Sequence, residues 1–368
     1  MTDCLCVSCG QPLESCNRVD FRQFKQVTSD CREFENGGEV CDCSWCGLVQ
    51  RPRSGDWREN CRKIYAGYRA HHQGRGEEQR IFQSSSARNR SEMLIFNVLD
   101  CVSLHDETTW LDYGCGEGHF LESLQRLCPG ITLSGCDHSE SCPSRLQNLG
   151  INDYFPVGVD VGRKFDWISM IHVVEHFFEP RVDLRMLRDW LQPKGRLFIQ
   201  ISNLRNNPFD LVIADHGTFF VEETICALLI RSGFFVESVS DKWINKELSI
   251  IAGVDSNSNS TYVRPVEKFA GSNGLLESHC HFLRELKSEM RQMRDLGKLT
   301  IFGSSTGATW AATEFGLANV QQFLDEDESR HNSTHLNVPI RGPSPGMMNV
   351  VVPLESRSRD RIKAKYGF

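Results

Sequence analysis

Residues 111–124 read LDYGCGEGHFLESL, with Asp112 followed by Gly114, Gly116 and Gly118 at alternate positions. An apolar strand ends at the aspartate, and an amphipathic helix follows the last glycine. Glycines let a backbone turn sharply and approach a ligand where a Cβ would collide. The helix start offers unpaired N–H groups to a polar ligand. The spacing D-x-G-x-G-x-G differs from the G-x-G-x-x-G of dinucleotide binders, although a dinucleotide domain competes as a reading of the loop alone. The next apolar run, ITLSGCD, ends in Asp137. A carboxylate about 20 residues beyond such a loop can accept hydrogen bonds from two ribose hydroxyls. A third stretch, FDWISMIHVVEHFFEP (165–180), gives a strand and then His172, Val174, Glu175 and His176. A Glu-His pair at a strand mouth can orient an acceptor or move a proton. It can equally cap the turn and line the cleft.

The cysteines form a second chemical group. Eight of the 16 fall within residues 1–46. Cys6-Val-Ser-Cys9-Gly10 and Cys43-Ser-Trp-Cys46-Gly47 are two C-x-x-C-G knuckles, each placing two thiolates on one tight turn. Four thiolates suit tetrahedral Zn²⁺ with no open position for catalysis. Redox-active pairs are the competing reading. Cys4 and Cys41 lie two residues from a knuckle and are alternates. Cys101, Cys128, Cys136, Cys142, Cys226 and Cys280 are expected to be small buried hydrophobes.

These residues need elements to position them. The expected strands are 109–113, 131–136, 165–171, 195–201 and 248–254, alternating with amphipathic segments, the pattern of βαβ units and a parallel sheet. Residues 56–108 read as helical, with Ile81, Phe82, Met93, Leu94, Phe96, Val98 and Leu99 at helix-like spacing. The polar run 255–261 (DSNSNST) reads as a linker. A long amphipathic helix follows, carrying Leu275, Leu276, His279, Phe282, Leu283, Leu286, Met290 and Met293 near one face. Then come a buried strand over 299–302, a glycine-rich turn and a helix. The organisation expected is therefore a cysteine-rich segment (1–55), a central α/β domain with N-terminal helices (56–256) and a smaller C-terminal Rossmann-like α/β domain (257–368).

A chain of 368 residues with 40% hydrophobic and 24% charged residues can bury more than one core. The net charge of -7 argues against a general nucleic-acid binder. No apolar run reaches the length of a membrane span. MTDCLCVSCG lacks a basic n-region and an apolar h-region, so a cytoplasmic location is expected.

The three segments around Asp112, Asp137 and His172 resemble motifs of class I S-adenosylmethionine-dependent methyltransferases, particularly the branch with H-V-x-E-H after strand four. The resemblance implies a seven-stranded sheet. It also implies that Asp112, Gly114, Gly116 and Gly118 cradle the methionine part of the donor and Asp137 the ribose. His172 would line the donor side, and Asp160 is a candidate for the adenine region. The order of parts, with CDCSWCGLVQ before the core and IFGSSTGATWAATEFG (301–316) and HNSTHLNVPI (331–340) after it, resembles the nucleotide-sugar C-methyltransferases. That family combines an N-terminal zinc segment, a donor domain and a C-terminal Rossmann-like domain. It implies a small-molecule acceptor, a keto-deoxysugar linked to a nucleotide.

The family's Glu-His pair corresponds to Asp215-His216 in DLVIADHGTFF (210–220). His216 is then the candidate base, with Asp215 orienting it or sharing the role. His176, Tyr65 and Tyr68 are further catalytic candidates. The family's tyrosine upstream of the pair is replaced by Val212 and Ile213, which departs from the pattern for enolate stabilisation. Gly303 and Gly307 could approach a phosphate, with His335 near the same cleft. Methylation of oxygen or nitrogen on a glycan or small metabolite is the alternative reading. A non-catalytic zinc-dependent scaffold is the alternative from another class.

Overall fold

The computed structural model describes residues 5–13, 16–35, 37–68, 78, 80–83, 86–138, 142–151, 153–254 and 274–368. Cys4 and the expected linker 255–261 lie outside the described residues.

The cysteine-rich segment builds a small sheet from strands Asn17–Asp20, Glu39–Asp42 and Val49–Gln50. Its fourth strand, Thr218–Phe219, comes from the middle of the chain and pairs antiparallel with Val49–Gln50. The segment is thus stitched to the loop that carries Asp215 and His216. Helix α1 (Gly55–Tyr65) starts where the Ser54 hydroxyl accepts from the Trp57 N–H at 3.2 Å, an N-cap that satisfies one of the helix's unpaired donors. Helix α2 (Arg90–Cys101) buries Met93, Leu94, Ile95 and Val98 on one face. Ile81 and Phe82, expected in a helix, sit instead in a hairpin of Arg80–Gln83 with Ser86–Asn89. Two adjacent apolar residues fit either period, and pairing decided between them.

The central sheet contains β1 (Thr109–Tyr113), β2 (Thr132–Asp137), β3 (Asp153–Pro156), β4 (Phe165–Ile171), β5 (Leu191–Ser202), β6 (Phe235–Ser240) and β7 (Glu247–Gly253). Their order is β3-β2-β1-β4-β5-β7-β6. Strands β1 to β5 are parallel, and β7 runs antiparallel to both neighbours. The expected five strands are all present. The two additional strands, β3 and β6, are the sheet's edges and are mostly half-buried, so neither shows a clean apolar pattern. Helices α3 (His119–Leu127), α4 (Cys142–Asn148), α5 (Pro180–Asp189) and α6 (Glu222–Arg231) complete this layer. Leu111, Ile168, Leu197 and Ile199 are fully buried between the layers, each contributing roughly 1.5–3 kcal/mol. The order reverses between β1 and β4, the switch point at whose carboxyl edge ligands of such sheets bind.

The C-terminal unit begins with α7 (Leu275–Met293), which buries Leu276, His279, Cys280, Leu283, Leu286 and Met290. Its sheet comprises β8 (Leu299–Phe302), β9 (Val320–Leu324), β10 (Thr334–His335), β11 (Val338–Arg341) and β12 (Val350–Val351), in the order β10-β11-β9-β8-β12. Helix α8 (Thr306–Phe315) follows the glycine-rich turn, and α9 (Ser356–Tyr366) closes the chain. One apolar cluster joins Phe21, Phe24 and Val27 of the cysteine-rich segment to Phe209 and Leu211 of the core and to Trp310 and Leu283 of the C-terminal unit. Three regions of sequence therefore meet around residues 203–221.

Candidate active site

The glycine loop is built by contacts that leave no room for side chains. Gly114 has φ +81°, and a Cβ there would fall 2.4 Å from Val173 Cγ2. Gly118 has φ +77° and caps α3, and its Cβ would lie 2.8 Å from Leu146. Both are therefore glycine for conformation and for space. The Gly116 N–H donates to Asp137 Oδ2 at 2.7 Å, so the loop and the end of β2 are tied together before any ligand arrives. Asp112 is buried and accepts from the Ser169 hydroxyl at 2.6 Å. Burial pushes its carboxyl up to about 7, against the pull of Ser169 and with the help of the Asp137 charge. The Asp137 carboxylate at the end of β2, beside this glycine turn, fits the ribose part of S-adenosylmethionine. Asp160 is exposed, and its carboxylate is used locally by the Gly162 N–H at 3.1 Å. Cys115 and Cys142 place their sulfurs 3.4 Å apart beneath this loop.

His172 sits at the carboxyl edge of β4 with φ +54°. It belongs to an ion cluster rather than to an isolated proton-transfer pair. Its Nδ1 lies 3.3 Å from Glu175 and its Nε2 lies 3.5 Å from Glu247. Arg90, from the start of α2, contacts both His172 and Glu247. Burial would lower the imidazole, but Glu247 and Glu175 lift it to about 9 against the opposing Arg90 charge. Against burial, His172 with the His216 and His176 charges holds Glu175 down at about 2, and Arg90 with His172 does the same for Glu247. Neither Arg90 nor Glu247 stands near His172 in sequence, which is why pattern reading missed them.

The other expected catalytic residues form a second cluster. His216 is buried, with Nδ1 2.7 Å from Asp210 Oδ1. Burial lowers its proton affinity, but Asp210 more than compensates, so the net shift is upward. The His176 ring meets His216 edge-on at 4.7 Å between centroids. His176 is shifted downward by burial and by the His216 charge. Its Nδ1 lies 3.2 Å from the Asp215 carbonyl. Tyr65 lies 6.2 Å from His176, and Tyr68 5.6 Å from Tyr65, both centroid to centroid.

One expectation is corrected here. Asp215 does not contact the His216 ring: Ser29 engages its carboxylate through the backbone N–H at 2.9 Å and the hydroxyl at 2.5 Å, and the same carboxylate lies 3.4 Å from His176 Nδ1. Asp210 holds the histidine instead. Val212 and Ile213 are buried in place of a tyrosine. The Ala214 N–H donates to the Val27 carbonyl at 2.8 Å, so the cysteine-rich segment lies directly beside them.

Two buried arginines fix this loop. Arg51 donates to the carbonyls of His216, Leu211 and Ile213 at 3.1, 2.9 and 3.3 Å. Arg53 reaches the carbonyls of Gly217, Phe178 and Phe177 at 2.6, 3.0 and 3.1 Å. The Trp57 indole donates to the Ala214 carbonyl at 2.9 Å. Each otherwise unsatisfied carbonyl would cost about 1–3 kcal/mol.

The two knuckles come together as expected. The sulfurs of Cys6, Cys9, Cys43 and Cys46 all lie within 4.8 Å of one another. Cys6 and Cys46 are 3.5 Å apart, and Cys9 and Cys43 3.6 Å. Tetrahedral Zn²⁺ with bonds of about 2.3 Å needs sulfurs roughly 3.8 Å apart, so the donor set fits. Cys41 faces the Gln50 carbonyl at 3.5 Å, outside the cluster. Cys136, Cys142, Cys226 and Cys280 are buried as expected, but Cys101 is exposed and Cys128 half-buried. In the C-terminal unit, Gly307 is small because a Cβ would lie 2.5 Å from the Pro353 carbonyl. Gly303 has φ +90° and donates to the Leu324 carbonyl at 2.6 Å. His335 is buried against Phe323 and bonded to Thr309 at 2.9 Å, so it packs the unit's interior rather than a cleft.

Residues 72–239 match a family model described as a methyltransferase domain. A ubiquinone biosynthesis O-methyltransferase of Parvibaculum lavamentivorans is 32% identical over 123 residues, which are 30% of this chain and 47% of that protein. One of the same description from Dinoroseobacter shibae is 33% identical over 120 residues, again 30% and 47%. The match thus spans about half the length of these curated relatives. A solved S-adenosylmethionine-dependent methyltransferase from Clostridium acetobutylicum is similar at 13% identity and TM-score 0.38, covering 45% of this chain and 91% of that one. Residues 72–239 thus form a methyltransferase domain, built on the Rossmann-like sheet described above.

Proposed function

We propose that this chain methylates a small molecule, a nucleotide-linked keto-deoxysugar, at carbon. The observation that carries the reading is the buried cluster of His216, Asp210 and His176 beside the donor loop, where Val173 packs on Gly114. The donor supplies an electrophilic methyl group on a sulfonium sulfur. His216 would take the proton next to the keto group, and the carbon so freed would receive the methyl group from the donor, whose sulfur would leave as a neutral thioether. The chain supplies a base, orientation and exclusion of water. Tyr65 and Tyr68 are the donors available to the enolate oxygen in place of the residue at Ile213. The contacts of Ser29 with Asp215 and of Cys31 with Thr306, 3.6 Å apart at the start of α8, support reading the acceptor side as shared by all three regions.

Oxygen methylation is the second reading, favoured by the curated relatives' names and by Ile213. The cysteine cluster is read as a structural zinc site held by Cys6, Cys9, Cys43 and Cys46. The regions 1–55, 56–256 and 257–368 are read as zinc segment, donor domain and acceptor domain. Free cysteines throughout the described residues support a reducing, cytoplasmic setting.

The test uses a keto-sugar nucleotide deuterated beside the carbonyl. Deuterium loss coupled to methyl incorporation, abolished in His216→Gln, is the expected result. Methylation with full retention of deuterium would replace carbon by oxygen as the target.

A further inference from the structure

The buried carboxylate of Asp210 is the closest charged partner of the candidate base, and its part in the proton transfer follows from its geometry. We infer that Asp210 is the positioning residue of His216, holding the imidazole through Nδ1 so that Nε2 is left as the proton acceptor. The inference rests on the methyl-transfer reading for its chemistry but not for its geometry. Asp210 is fully buried in the turn Pro208–Val212, six residues before His216. Its Oδ1 lies 2.7 Å from His216 Nδ1. Its Oδ2 has no hydrogen-bond partner among the described residues, an arrangement costly to keep unless the carboxylate's charge is used.

The other groups facing His216 are Glu175 and His176 from the turn after β4, and Asp215 beside it in the chain. Arg51, from the cysteine-rich segment, bonds its carbonyl. Arg51 and His279 of α7 also feel the Asp210 charge. None of these charged side chains reaches Nδ1 as Asp210 does. A carboxylate at Nδ1 fixes the tautomer and favours the imidazolium that forms on proton abstraction.

The experiment follows the His216 imidazole by NMR titration in the full chain, wild type against Asp210→Asn. The expected result is a proton affinity of His216 about tenfold lower in the variant. The pH limb of kcat should move to lower pH, and kcat should fall roughly 100-fold. The Kd for S-adenosylhomocysteine should stay unchanged. An unaltered His216 titration with an unaltered pH limb would overturn the inference, whatever happened to Tm. If the variant fails to fold, the wild-type chain still decides. An exchange-protected Nδ1–H signal from His216 supports the pair, and its absence overturns it. A shifted titration in a wild-type chain that methylates no keto-sugar nucleotide would defeat the carbon-methylation reading while leaving the pair intact.

Discussion

His172 carries a specific consequence for pH. Its imidazole is lifted to about 9 by Glu247 and Glu175 despite burial. A raised folded-state value means that the ion cluster contributes its stability fully below the ordinary histidine value of about 6.5. That contribution is lost as pH rises through about 9. The partner carboxylates are held at about 2. Their contribution is present above the ordinary glutamate value of about 4.3 and is lost as pH falls through about 2. Denaturant unfolding between pH 6 and 10 should therefore show a decline on the alkaline side. Glu247→Gln should flatten that decline, and an identical slope in the variant would contradict the account. The glycines, Asp112, Asp137 and the cysteine knuckles were legible because each is a local pattern on one turn. Arg90, Glu247, Ser29 and Asp210 were not. The first three reach their partners only through tertiary packing. Asp210 is near in sequence, but Asp215 is nearer to His216, and only the fold shows that Ser29 has already engaged it.

At the scale of elements, the loop 203–221 carries the candidate base and is held from the cysteine-rich segment. Arg51 spans it with hydrogen bonds to three carbonyls from a buried position. Burial pulls the Arg51 guanidinium down to about 10, still far above neutrality, so it remains a charged clamp. Arg51→Met keeps much of the volume and removes the donors. It should destabilise the chain by about 2–5 kcal/mol. Where fold survives, methyl transfer should fall more than donor binding does. Equal losses in both would mean that the arginine merely holds the core. The parallel strands were readable because β4 and β5 are apolar runs bounded by turns. The edges β3 and β6 were missed because half-buried strands mix polar and apolar residues. The hairpin over 80–89 was read as helix because its two apolar residues carry no period of their own.

At the scale of the whole molecule, the cysteine-rich segment is tied into the loop that carries Asp215 and His216 rather than appended to it. Its strand Val49–Gln50 pairs with Thr218–Phe219, and Ser29 engages Asp215. A strong chelator should release one metal per chain and lower Tm, and Cys43→Ser should copy the effect. Unchanged Tm with no metal released would remove the zinc reading. None of this interlocking is visible in a pattern of spacings, since it joins residues more than 150 positions apart. The central claim is that Asp137 and the glycine loop bind the methyl donor. Calorimetric titration with S-adenosylhomocysteine, wild type against Asp137→Ala, tests it most directly. Micromolar binding weakened by about 1–3 kcal/mol in the variant is expected. No binding by the wild-type chain would contradict it and favour a non-catalytic, zinc-dependent scaffold.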